Sequence, residues 1–144
     1  MAPLDGLRVI DLTRVVAGPF CTMMLGDMGA EVLKIEEPKH GDDSRAWAPL
    51  IEGTGSFYLA LNRSKKSVAL DLKTPDGAEL ALLLADRADA LIEGFRPGVA
   101  ERLGLGPETC LARNPRLVYG RMTGYGQDGP MAQAVLSSAH STET

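Results

Sequence analysis

Cysteine is scarce in this 144-residue chain, which has only Cys21 and Cys110. Two isolated thiols make neither a disulfide framework nor a metal-ligand cluster. Each falls among apolar neighbours in a segment that reads as helical, so both are expected as reduced, core-type thiols in a reducing compartment. A basic excess is also missing: the formal net charge is -4, which argues against a general nucleic-acid binder. No run approaches the roughly 18 consecutive apolar residues of a membrane span. The opening Met-Ala-Pro-Leu-Asp-Gly shows no cationic, apolar, small-residue signal pattern. Cytoplasmic placement is therefore the default expectation, with a mitochondrial address left open.

What is present is ordinary globular composition, 44% apolar and 24% charged, enough for one domain with a real core. Short β-type runs alternate with helical ones. Residues 7–12 (LRVIDL) read as a strand, 19–28 as a helix, and 31–36 (EVLKIE) as a second strand. Pro19 suits a first helical turn and Gly29 a left-handed exit. A long irregular stretch follows from Pro38 to about Lys66, with Trp47, the sole tryptophan; loops of that length are usually functional or mobile. Residues 67–72 (SVALDL) read as a third strand. Thr74 then serves as N-cap and Pro75 as first residue of a helix, with Leu80, Leu83 and Leu84 as its apolar stripe. Residues 90–93 (ALIE) form a fourth strand, 99–103 and 107–113 two short helices, and 117–122 a fifth strand. This alternation predicts an α/β fold with a parallel sheet built from Rossmann-like βαβ units.

In such a sheet ligands bind beyond the carboxyl ends of the strands, which points to residues 13–18, 37–45, 94–98 and 123–130. A dinucleotide site is disfavoured, because the first loop reads TRVVAGPF and lacks G-x-G-x-x-G. His40 with Asp42 and Asp43 reads as a solvated loop and no metal is expected. Arg63, Lys65, Lys66, Lys73, Arg96 and Arg102 are singly ordinary surface charges. Together, several fall near strand ends where phosphates could bind them.

Four stretches, PLDGLRVIDLTRVVAGPFCTMMLGDMGAEVLKIEEPKHGDDSRAW, NRSKKSVALDLKTPDG, ALIEGFRPGVAERLGLG and NPRLVYGRMTGYGQDGP, follow one another in order. Together they resemble the amino-terminal part of the family III coenzyme A transferases, the group containing formyl-CoA transferase. The resemblance spans residues 3–133. It implies that coenzyme A or an acyl-CoA lies across the strand ends as substrate. Val16 and Ala17 would contact it from the first loop, with Leu70, Asp71, Leu72 and Lys73 following and Lys73 taking a phosphate. Gly94, Phe95 and Arg96 would line the adenosine region, and Arg102 would add a charge. Glu37 departs from the pattern, since the family often has arginine there. Leu70 and Leu72 read equally well as plain strand packing.

The resemblance also implies covalent catalysis. An aspartate attacks the thioester, the freed thiolate converts the mixed anhydride into an enzyme-bound thioester, and an incoming carboxylic acid takes over. That aspartate is expected downstream of the GYGQDGP segment, so no catalytic residue is assigned in this chain. Residues 1–132 are expected to form a partial Rossmann-like domain, and residues 133–144 a disordered tail outside the family pattern. A shortened transferase, inactive alone, is the first reading. A fragment resembling a 2-methylacyl-CoA racemase, or a non-catalytic coenzyme A-binding or dimer-partner module, is the alternative. GDDSRAWAP favours transferases acting on dicarboxylates such as succinate. The family resemblance further implies a homodimer.

Overall fold

In a computed structural model, described here for residues 1–134, the chain opens on strand β1 (Arg8–Leu12) and helix α1 (Ala17–Asp27). Strand β2 (Glu31–Glu36) follows, then a short 3-10 turn (Asp43–Ala46), the hairpin strands β3 (Leu50–Ile51) and β4 (Thr54–Gly55), and helix α2 (Ser56–Leu61). Next come β5 (Lys65–Ala69), α3 (Pro75–Ala85), β6 (Ala90–Glu93), α4 (Val99–Arg102), α5 (Pro107–Arg113) and β7 (Val118–Arg121).

The main sheet has five strands in the order β5-β2-β1-β6-β7, and every pairing is parallel. The chain steps outward from β1 through β2 to β5, then returns to β6 on the other side of β1. The direction of winding therefore reverses between β1 and β6, which is where open α/β sheets hold ligands. Period-two alternation gives the sheet two faces. Ile10, Leu12, Ile35 and Leu91 meet Ala81, Leu82, Ala85, Leu105 and Cys110 on one face. Val9, Val32 and Ile92 face the other way, towards Leu25 and Cys21 of α1. Helices thus cover both faces, the α/β architecture the alternation predicted.

Several boundaries moved, each for a physical reason. The third strand pairs with β2 over Lys65–Ala69, earlier than residues 67–72, so Leu70 to Lys73 form the loop leaving it. The irregular stretch contains α2, whose start has no side-chain cap to announce it. On α3 the buried residues are Gly77, Ala81, Leu82 and Ala85, while Leu80 and Leu83 stand exposed. Small residues let the helix lie close to the sheet, so Gly77, Ala81 and Ala85 with Leu82 mark its inner face, and of the expected stripe only Leu84 packs against the core. Thr74 does cap α3: its Oγ1 accepts the Gly77 N–H at 3.1 Å, with Pro75 at the first turn. Of the residues 133–144 expected as a tail, 135–144, His140 among them, lie outside the described residues.

Candidate functional site

The carboxyl edge of the sheet is held by three connected polar networks. In the first, the Lys65 ammonium reaches Asp11 at 3.0 Å and also donates to the Pro19 carbonyl, Thr22 Oγ1 and Asn62 Oδ1. Burial pushes the Lys65 ammonium below the usual lysine range, opposed by the Asp11 carboxylate. Asp11 also accepts the N–H and hydroxyl of Thr13. In the second, Lys34 meets Asp42 at 2.9 Å, with both side chains almost fully buried, and donates to the Thr13 carbonyl at 2.8 Å. Asp42 takes further bonds from Ser44 and from the Val15 N–H. Burial pushes the Asp42 carboxyl up, but the Ser44 hydroxyl and Lys34 outweigh it and the net shift is downward.

The third network centres on Glu36 at the end of β2. Arg45 binds it in a two-pronged contact at 2.8 Å, and Tyr58, Ser67 and the Asp42 N–H donate to the same carboxylate. The Arg45 guanidinium also lies over the Tyr58 ring, 3.9 Å from its centroid. Burial raises the Glu36 carboxyl; the donated hydrogen bonds, Arg45 first, override it and hold the group at about 2. Burial and the neighbouring Glu36 push the Tyr58 phenol well above its usual range.

Beside the second and third networks, lined in part by Lys34, Asp42 and Glu36, opens a cleft of about 290 Å³. That is the small end of ligand pockets, which run from about 300 to 1,000 Å³, so it fits part of a large ligand. Leu12, Ile35, Leu70, Leu72, Phe95, Val99 and Leu103 give it an apolar wall, and Arg14, Glu37, Asp71 and Lys73 add charge at its margins. Of the residues expected from sequence, Leu70, Asp71, Leu72, Lys73 and Phe95 line this cleft. Val16, Ala17, Gly94, Arg96 and Arg102 do not. Val16 and Ala17 begin α1 just beyond β1, Gly94 and Arg96 lie in the loop after β6, and Arg102 ends α4. All ten therefore sit on segments that follow the carboxyl ends of β1, β5 and β6.

The cations divide into two groups. Arg63 pairs with Asp27, Lys65 with Asp11 and Lys66 with Glu31, so these three, grouped with the phosphate candidates on sequence, serve structure. Their backbones sit at or before the amino end of β5, and only the Lys65 side chain reaches inward, to Asp11. Arg14, Lys73, Arg96 and Arg102 make no ion pair among the described residues. Glu37 caps its own turn by accepting the N–H groups of Lys39 and His40. Among the described residues no group of three or more His, Cys, Asp and Glu side chains is placed to hold a metal ion. Sequence reasoning missed Arg14, Lys34 and Tyr58, and read Asp42 as solvated. The available signal was EVLKIE, whose alternation places Val32, Lys34 and Glu36 on one face of an interior strand.

Comparison with known proteins adds an independent line. Residues 4–137 match the family described as CoA-transferase family III. The human succinyl-CoA:glutarate CoA-transferase is 48% identical over 91% of this chain and 30% of its own length. The acetyl-CoA:oxalate CoA-transferase of Acetobacter aceti is 46% identical over 90% of this chain and 33% of its own. A CaiB/BaiF family protein from Brucella suis superposes with a TM-score of 0.87 at 42% identity, covering 92% of this chain and 36% of that one. The chain thus spans about a third of the length of the relatives it matches.

Proposed function

The chain belongs to CoA-transferase family III, and from that premise we propose that its sheet forms the coenzyme A-binding part of an enzyme moving coenzyme A between carboxylic acids. The observation that carries this reading is the cleft at the carboxyl edge. Its wall of Leu70, Leu72, Phe95 and Val99 suits a pantetheine arm, and Lys73 and Arg14 at its margin suit phosphates. Val16, Ala17, Gly94, Arg96 and Arg102 extend the contact surface beyond the cleft, because a molecule of that size overruns 290 Å³.

The attacking carboxylate comes from outside the described residues in this proposal. Each carboxylate on the cleft wall is already engaged. Glu36 is bound by Arg45, Asp42 by Lys34, Asp71 by the Lys73 N–H, and Glu37 by two backbone N–H groups. For Glu36, Asp42 and Glu37 these bonds hold the carboxyl below its usual range and so blunt its reactivity as a nucleophile. Dicarboxylic acids such as succinate are the proposed acyl partners, in line with relatives named for succinate, glutarate and oxalate. A second copy is the proposed structural partner. Exposed Val16, Phe20, Met24 and Met28, spaced by four along α1 and its ends, form a stripe that suits burial against a neighbour.

Titration calorimetry with coenzyme A tests the binding half, and a folded chain that gives no heat refutes it. Incubation with succinyl-CoA and glutarate tests the other half. No turnover is expected from this chain alone, and sustained thioester exchange contradicts an external carboxylate.

A further inference from the structure

Two lysine-aspartate pairs are buried within one loop's reach of each other, and both converge on Thr13. Asp11, paired to Lys65, holds the Thr13 N–H and hydroxyl. Lys34, paired to Asp42, holds the Thr13 carbonyl at 2.8 Å. Two residues on, Val15 stands at φ 72, a left-handed conformation that a β-branched residue rarely adopts. Its N–H points at the Asp42 carboxylate, 3.2 and 3.3 Å from the two oxygens. Strain of that kind persists only where the surroundings over-determine it.

A buried ion pair is a poor device for stability alone, since apolar side chains of similar volume do as well or better. What it supplies is direction. The Lys34 ammonium and the Asp42 carboxylate each bind the other and also one backbone group of the first loop, the Thr13 carbonyl and the Val15 N–H. The loop is therefore gripped at two points by one pair. Beyond the grip the chain emerges at Val16 and Ala17 with no acceptor for either N–H among the described residues.

We infer that Lys34 and Asp42 are positioning residues that lock residues 13–15, so that the backbone of Val16 and Ala17 is presented to coenzyme A in a fixed pose. This rests on the coenzyme A reading above. Neither side chain touches the ligand; both act through the loop.

The test compares the wild-type chain with a Lys34→Met, Asp42→Asn double variant, which removes both charges together and strands neither. Calorimetry with coenzyme A is run where melting curves show both proteins folded, alongside amide NMR of residues 13–17. The expected result is about tenfold weaker binding, from the loss of pre-organisation, with amide shifts concentrated in that loop. Val15→Gly leaves both ion pairs in place and frees the loop at one residue, so it reads the same point if the double variant does not fold. A purely structural role lowers the melting midpoint and leaves the affinity of folded molecules unchanged; that outcome overturns the inference. Wild-type protein that folds and ignores coenzyme A overturns the parent reading, and this one with it.

Discussion

Replacing Glu36 by glutamine isolates the charge of one buried carboxylate while keeping its shape. In the folded chain Glu36 is held at about 2, against an ordinary value of 4.5. A depressed carboxylate contributes stability that is present in full above its unfolded value and is lost as pH falls towards its folded value. The window is therefore pH 4.5 down to 2. Lowering the carboxyl from 4.5 to about 2 corresponds to roughly 3 kcal/mol at pH 7, and linkage leaves about 1.5 kcal/mol of it at pH 3. Solvent screens little of this contribution, because the side chain is only 4% exposed. The Arg45 side chain, 36% exposed, can turn to water when its partner loses charge, so no stranded cation confuses the comparison. Urea unfolding at pH 7 and pH 3 measures the gap, with Trp47 as reporter because it sits beside Phe57 of α2, 6.4 Å between ring centroids. The gap between wild type and Glu36→Gln is expected to shrink by about half between the two pH values. A gap that is the same at both refutes the assignment of that charge to the network.

Lys73→Glu is expected to leave the melting midpoint unchanged, because Lys73 is exposed and makes no ion pair among the described residues. Coenzyme A affinity is expected to fall by about tenfold or more at low salt and by less at high salt, as charge-assisted phosphate contacts do; calorimetry at two ionic strengths checks it. Gly18→Ala is expected to cost at least about 1–3 kcal/mol in urea unfolding, because its Cβ collides with the Thr13 side chain, the junction of two buried networks. Unchanged stability there means the loop yields freely and Thr13 is not fixed.

The framework was legible because its signals are local. EVLKIE and ALIE fall on β2 and β6 at the bounds read from sequence, and α5 does so at Pro107–Arg113. Thr74-Pro75 marked the start of α3 by cap chemistry alone. The errors arose where one dimension is insufficient. Leu80 and Leu83 look like a core stripe until the sheet selects the alanine face. Lys65, adjacent to Arg63 and Lys66, looks like surface charge until β5 aligns with β2 and aims it at Asp11, 54 residues away in sequence. Asp42 shares a polar loop with His40 and Asp43, yet only its side chain turns inward, because the partner is Lys34 on the preceding strand. Family resemblance, by contrast, named the loops that meet at one edge without locating the interior charges that shape them.

The two faces of the sheet are unequally packed, and the difference bears on how the edge works. Among the described residues, eleven buried ones form the cluster between the sheet and α3 to α5, whereas four form the one beneath α1. On the α1 side the two lysine-aspartate pairs occupy positions that apolar packing fills elsewhere. Directed bonds fix a loop more sharply than dispersion contacts do, but they resist solvent less well once a partner moves. The α1 side therefore combines a well-defined first loop with a thin apolar foundation, and Phe20 and Met24 stand exposed on its outer surface. Covering that surface would shield the helix whose Pro19 carbonyl and Thr22 hydroxyl oxygen accept hydrogen bonds from the Lys65 ammonium. Order in the first loop thus depends on where α1 rests against β1, because α1 carries the acceptors that hold Lys65 against Asp11, the residue that binds Thr13.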